Sequence, residues 1–332
     1  MSPVKGGIDL GGTKVLAVVV GPGSRVVGEA KRPTPREGRP SDVVAQVAAT
    51  MQEAADAAGV SVESLSGVGV GSPGVIDAEA GTVSGAGNLP GWEGTHAMAP
   101  ELSEMLGGVT VKLGNDVQVA VDGEYALGAG RDSSSLLGVW WGTGVGGGII
   151  LNGRPWVGRG AAGEIGHVVV KRGGARCTCG RNGCMEAYAG RGAMEIEARR
   201  LYKRGRDTEL FEIMEKRGRE RLQSGVWARA LERNDPLAVK LIDRAVNALG
   251  AGVASVVNVL DVETVVVGGG LGSRLGAPYV ERIRAAMLPH LFASERPADV
   301  VLAELGDRGG AVGASLLVGR RPARRRRTAA AG

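Results

Sequence analysis

The chain opens on short apolar clusters cut by glycine turns. Residues 6 to 33, GGIDLGGTKVLAVVVGPGSRVVGEAKRP, set Ile, Leu and Val between Gly-Gly-Thr and Gly-Pro-Gly breaks. That pattern predicts three strands joined by tight turns. From Ser41 to Gly59 the period changes, and Val44, Val47, Ala48, Met51, Ala54 and Ala55 recur at helical spacing after a Ser-Asp start and before a Gly stop. LSGVGVGSPG (65–74) then predicts a short strand entering a Gly-Ser-Pro loop, and VTVKLGND (109–116) a strand ending at a polar pair. At Leu136 the order restarts with LLGVWWGTGVGGGIILNGRPWVG, a strand, a Gly-Thr-Gly turn and another strand. This restart predicts an internal duplication. Residues 193 to 258 read as mostly helical, with breaks at Gly225 and at Asn234 to Pro236. The consecutive valines of VETVVVGGGLGS (262–273) predict a strand buried on both faces and ending in glycines. GDRGGAVGASLLVG (306–319) predicts a last helix. The sum is an α/β chain of two lobes, each with a mixed sheet and helices.

Composition adds size and packing to this picture. At 332 residues the chain exceeds what one hydrophobic core usually supports, so a cleft between two lobes is expected. Apolar residues make up 43% and aromatics only 3%, so the core is aliphatic. The 57 glycines imply many tight turns and close backbone approaches.

The charge of +5 would suggest a polyanion partner were it spread over the body. It is not. Six arginines lie between Arg320 and Arg327; taking them from the 40 basic residues leaves 34 against 35 acidic. Residues 320–332 are therefore expected to form a solvated, disordered tail. The start carries no apolar signal segment, and glycines interrupt every apolar window, so no membrane partner is expected. An odd count of three cysteines points to a reducing compartment, and the expected location is the cytoplasm.

Candidate chemistry begins at DLGGTK. Two glycines at a turn, Gly11 and Gly12, let backbone N–H groups approach an anion, while Thr13 and Lys14 add a hydroxyl and a cation. Asp9 can hold a magnesium ion through water. The spacing is neither a P-loop nor a dinucleotide fingerprint. A second Gly/Thr turn, with Gly142, Thr143, Gly144 and Gly146, opens the restart, and Gly269 and Gly270 end the buried strand. Taken in order, these turns suggest a phosphotransferase cleft. In GND (114–116), Asp116 at a strand end can accept a proton from a substrate hydroxyl; an Asp capping the following helix is the alternative. Finally, His167, Cys177, Cys179 and Cys184 supply the Cys3His set of a closed tetrahedral zinc site. The C-x-C-x4-C spacing departs from the commoner C-x2-C knuckle, but Gly180 and Gly183 let the chain fold around a metal.

DLGGTK, NLPGW, GND, GTGVGGG, GEIGH, CTCGRNGC and GGG, in this order, resemble the ROK family of bacterial sugar kinases and related repressors, and its glucokinases most. The resemblance spans nearly the entire body. It implies a hexokinase/actin-like (ribonuclease H-like) fold, expected here as a small domain at 1–116 plus 305–319 and a large domain at 117–304 carrying the zinc loop. It implies Asp116 as the base on a sugar 6-hydroxyl, with Asn115 beside it. Asn88, Glu164, His167 and Glu186 would hold the other sugar hydroxyls. Magnesium-ATP would lie on Asp9 to Lys14 and Gly142 to Gly146, with Gly269 and Gly270 near the adenosine. Zinc would be structural and would fix Glu164 and Glu186 relative to the sugar. Family repressors carry a helix-turn-helix domain before the glycine turn; with Asp9 so near the start, no DNA-binding domain is expected. Glucose is the expected substrate, with N-acetylmannosamine, N-acetylglucosamine, fructose or allose as alternatives. Polyphosphate is the alternative donor, a non-catalytic sugar-responsive regulator the alternative class, and a homodimer or homotetramer the expected assembly.

Overall fold

The computed structural model describes residues 3–319, so the arginine-rich tail lies outside the described residues. The first strands are β1 (Lys5–Leu10), β2 (Lys14–Val20) and β3 (Val26–Pro33), as the turn pattern predicts. β4 (Val68–Ser72) follows, then a small sheet of β5 (Val75–Asp77), β6 (Thr82–Ser84) and β7 (Thr95–His96), and then β8 (Val111–Asn115). The restart gives β9 (Leu136–Trp141), β10 (Val145–Leu151) and β11 (Arg154–Pro155), with β12 (Thr264–Gly268) and β13 (Asp299–Leu302) far downstream.

Two five-stranded sheets result, ordered β3-β2-β1-β4-β8 and β11-β10-β9-β12-β13. In each, the first strand pairs antiparallel with the second and parallel with the fourth. The third closes the hairpin edge and the fifth runs parallel to the fourth. The duplication legible in the restart is thus a duplication of topology. Its cause is local: turns of two to five residues permit only antiparallel neighbours, whereas a parallel neighbour needs a crossover. Helix Pro40–Ala57 is the crossover from β3 to β4, and it buries Val43, Val44, Val47, Met51 and Ala54. In the second sheet the strands surround a core that includes Leu137, Val139, Trp141, Trp227, Val265 and Val267, under helix Pro236–Leu260.

Helices Asp116–Leu127 and Gly309–Ser315 pack on each other beside the first sheet. Bare backbone makes that contact possible. A Cβ on Gly7 would fall 2.0 Å from the Ala311 carbonyl oxygen, one on Gly69 1.8 Å from that of Ala314, and one on Gly313 1.8 Å from that of Val119. Helix Asp116–Leu127 also touches the second sheet, where a Cβ on Gly138 would lie 2.0 Å from Val121 Cγ2. Many of the 57 glycines are therefore packing surface. The chain passes between the sheets through this helix and again after β13. Glu124, 1% exposed, ties the two passages: its carboxylate accepts from the backbone N–H groups of Ala129 (3.0 Å), Glu304 (3.0 Å) and Leu305 (2.8 Å).

Two local expectations are corrected. Gly225 lies in the first turn of helix Ser224–Glu232, and the break comes before it, at residues 217–223. Gly269 and Gly270 do not end a strand; β12 stops at Gly268 and they open helix Gly269–Leu275. The small sheet β5-β6-β7 has no counterpart in the sequence reading, because strands of two or three residues are too short to show a period.

Candidate functional site

The parallel register sets the first part of the site. Asp9 on β1 pairs with Gly71 on β4, which pairs with Gly114 on β8, so Asp9 and the Gly114–Asp116 segment reach the same sheet end. Gly71 is obligatory to the approach, since a Cβ there would meet Val119 Cγ2 at 2.5 Å and Asp116 Cα at 3.3 Å. The capping alternative for Asp116 resolves in favour of its neighbour: Asn115 is the N-cap, its Oδ1 accepting from Val117 N and Gln118 N at 3.1 Å each. Asp116 Oδ1 also accepts from Val117 N, at 3.0 Å.

Carboxylates gather here. Burial, followed by the nearby Asp116 charge, pushes Asp9 up to about 6, against the opposing pull of Lys14. Burial likewise raises Asp116; backbone N–H groups pull it back and the Glu164 charge adds to the rise. Three acids from three separate segments thus share one electrostatic environment. A carboxylate raised in this way is a stronger base than a free one. Gly310 of the last helix completes the enclosure, as a Cβ there would lie 2.8 Å from Asp9 Cγ.

The first glycine turn stands beside Asp9. Gly12 approaches Asn88, whose backbone oxygen would be 3.0 Å from a Cβ at Gly12. Lys14 pairs with Asp307 at 3.2 Å. Thr34, 4% exposed, donates its hydroxyl to the Gly11 carbonyl at 2.6 Å and its N–H to the Thr13 carbonyl at 3.3 Å. The sequence gives no signal for Thr34, because only the β2–β3 pairing brings it to the turn.

The second turn meets the other elements closely. A Cβ on Gly142 would be 3.8 Å from Gly270 N, one on Gly146 2.7 Å from Val117 Cγ2, and one on Gly144 2.3 Å from Glu186 Oε2. Glu186 Oε2 accepts from Val145 N at 2.9 Å, and its Oε1 accepts from the Thr178 hydroxyl at 3.3 Å. Oε1 also accepts from the Cys177 thiol at 3.8 Å, so Oε2 is the oxygen that keeps a lone pair for a further donor.

His167, Cys177, Cys179 and Cys184 place one ligand atom each within 4.8 Å of one another. Cys179 Sγ lies 3.7 Å from Cys184 Sγ, and Cys177 Sγ 3.8 Å from His167 Nδ1. A tetrahedral metal with bonds of ~2.3 Å to sulfur separates its ligands by ~3.8 Å, so the donor set and its spacing fit one ion. Hydrogen bonds from Arg181 lower Cys179 to about 6, whereas burial raises Cys184 to about 11. His167 Nε2, on the ring side away from the cysteines, lies 3.8 Å from Glu164 Oε2. Asp9 is tied by charge to Asp116 and Lys14, Gly12 by contact to Asn88, Gly142 to Gly270, Gly144 to Glu186, and Glu164 to His167 and Asp116, whereas Thr13 at the tip of the first turn is exposed. Thr34, Glu124 and Arg191, whose Nη2 donates to Thr143 Oγ1 at 2.7 Å, are additions that the sequence did not mark.

Duplicated sheets, a glycine turn from each, and carboxylates gathered between them define a two-lobed α/β fold of the hexokinase/actin-like kind. The chain belongs to the ROK family, whose model matches residues 5–321. It is 32% identical to a glucokinase of Thermotoga maritima over 316 residues, covering 94% of this chain and 96% of that one. It is 33% identical to a kanosamine kinase of Amycolatopsis mediterranei, covering 96% and 97%. A ROK glucokinase of Streptomyces griseus, solved with glucose and AMPPNP, superposes with a TM-score of 0.81 at 31% identity, covering 95% and 98%. No helix among the described residues is long and apolar enough to cross a membrane.

Proposed function

We propose that this protein is a glucokinase that transfers the γ-phosphoryl group of ATP to the 6-hydroxyl of glucose. The observation that carries this reading is Asp116, raised by burial at the sheet end it shares with Asp9 and within reach of the Glu164 charge. The likeness to the Streptomyces griseus enzyme with glucose and AMPPNP supports both ligands.

Asp116 orients the 6-hydroxyl by accepting its hydrogen bond and takes the proton as the new P–O bond forms. Phosphoryl transfer develops little charge on the nucleophile early, so a carboxylate of raised basicity suffices. Asn88, Glu164, His167 and Glu186 hold the remaining hydroxyls. With the lobes closed over the sugar, an epimer would leave one of these groups desolvated and unpaired, at about 1–3 kcal/mol each. Asp9 would hold magnesium, and the backbone of Gly11–Thr13 with Lys14 would cradle phosphates from one side. Gly142–Gly146 does so from the other, and Gly269 and Gly270 lie along the adenosine. Magnesium-ATP supplies the phosphoryl group and the positive charge that offsets the crowded carboxylates. Residues 1–116 plus 305–319 act as one lobe and 117–304 as the other, closing to exclude water. His167, Cys177, Cys179 and Cys184 would hold a zinc ion, and with four protein ligands its contribution would be structural: His167 would then fix Glu164, and the loop through Thr178 would fix Glu186.

Kanosamine differs from glucose by an amine in place of one hydroxyl, and a kanosamine kinase is similar over nearly the full chain. The deciding experiment is therefore ADP release from MgATP with a panel of glucose, kanosamine, N-acetylmannosamine, N-acetylglucosamine, fructose and allose. Glucose should give the highest kcat/KM. No turnover above the sugar-free blank with any of them would refute the kinase.

A further inference from the structure

We propose that Arg191 is a positioning residue of the donor site, which commits the Thr143 hydroxyl to donate a hydrogen bond to a phosphate oxygen of the donor. This rests on the kinase reading above. Arg191 Nη2 lies 2.7 Å from Thr143 Oγ1. A guanidinium has donors and no acceptor, and a threonine hydroxyl has one hydrogen and two lone pairs. The bond can therefore run only from Arg191 to Thr143, and the single Thr143 hydrogen is left for another acceptor. Thr143 is exposed at the tip of the second glycine turn. An acceptor-only ligand such as a phosphate oxygen meets it with the right polarity.

The turn is docked so that this polarity is held. Arg191 N donates to the Gly142 carbonyl at 3.1 Å, Gly192 N to the Thr143 carbonyl at 2.9 Å, and Val145 N to Glu186 Oε2 at 2.9 Å. Arg191 itself is fixed at its far end, where Nη1 donates to the Leu222 carbonyl at 3.2 Å, while its Nε is buried with no partner among the described residues. The surrounding charge also favours an anion. Buried Glu195 accepts from Arg199 Nε (3.1 Å) and Nη2 (2.8 Å) and from Arg221 Nε (3.0 Å). That carboxylate is shared, and Arg191, Arg199 and Arg221 outnumber it even with Glu186, the other carboxylate at the turn, counted. Leu222 leads into Gln223, Gly225 and Val226, which with Arg217 and Arg219 line a cavity of about 270 Å³. The same stretch reaches Gly270, where a Cβ would be 3.8 Å from Ser224 Oγ.

The test uses steady-state kinetics with glucose and MgATP, together with calorimetry of AMPPNP binding, on wild type, Arg191→Met, Arg191→Lys, Thr143→Val and the Met/Val double variant. A hydrogen bond to a charged acceptor supports a loss of roughly tenfold or more. Arg191→Met and Thr143→Val should each raise KM for MgATP and weaken AMPPNP by that factor, with KM for glucose unchanged. The double variant should match Arg191→Met alone, and Arg191→Lys, which keeps a donor, should recover part of the loss. Additive losses in the double variant, or a loss confined to KM for glucose, would overturn the inference. So would unchanged AMPPNP affinity in Arg191→Met. If Arg191→Met does not fold, Arg191→Lys against Thr143→Val decides on the same criteria. Wild-type protein without turnover on any sugar refutes the kinase reading instead, and the AMPPNP comparison still decides the role of Arg191.

Discussion

Replacing Asp9 by Asn should stabilise the fold while destroying its chemistry. Asp9 titrates near 6 in the folded chain against 3.8 for the free carboxyl, because burial and the Asp116 charge disfavour its ionised form. The sign follows from proton binding. Between these values the folded state holds a proton that the unfolded state has lost, so stability falls as pH rises from about 4 to about 6 and stays lowered above. A difference of about two pKa units corresponds to at most ~3 kcal/mol at pH 8. Asn is isosteric and neutral, and it removes both the desolvated charge and its repulsion with Asp116. Urea unfolding without magnesium or nucleotide should show Asp9→Asn more stable by about 1–3 kcal/mol at pH 8. The gain should shrink towards pH 4. Turnover with MgATP should be lost at both. A variant equal to or less stable than wild type at pH 8 would refute the claim that this carboxylate is held at a cost for its function.

Asp116→Asn should lower kcat by about 100-fold or more while glucose affinity by calorimetry stays within a few fold, since orientation and proton acceptance are lost and the other sugar contacts remain; near-normal kcat would remove Asp116 from the base role. Cys179→Ser should abolish zinc in metal analysis of the purified protein and lower the melting temperature, and wild type without zinc would remove the metal from the site. Glu124→Gln puts an amide donor against at least one of three backbone N–H groups, and the expected loss is about 2–4 kcal/mol in chemical denaturation. A loss under ~0.5 kcal/mol would show that these bonds do not hold the two interlobe passages together.

The signals that are local in the chain were readable without the fold. The hairpins of residues 6 to 33, the helix after Ser41, the restart at Leu136 and the Cys3His set within 18 residues each follow from spacing and residue type. Turn length and side-chain period act over a few residues, so the sequence carries them directly. The tertiary structure alone decided what depends on strand order and on how closely two backbones pass. Asp9 and Asp116 meet because β4 stands between β1 and β8 and offers a bare Gly71. Thr34 clamps the first turn, Arg191 the second, and Glu124 joins segments about 180 residues apart. Apart from Ala129, five residues after Glu124, none of their partners stands near in sequence, and each of the three is an ordinary polar residue until desolvation and geometry select it. The abundant glycines divide along the same line: their turns were legible from their neighbours, whereas Gly7, Gly69 and Gly313 are glycines because of a carbonyl oxygen contributed from elsewhere in the chain.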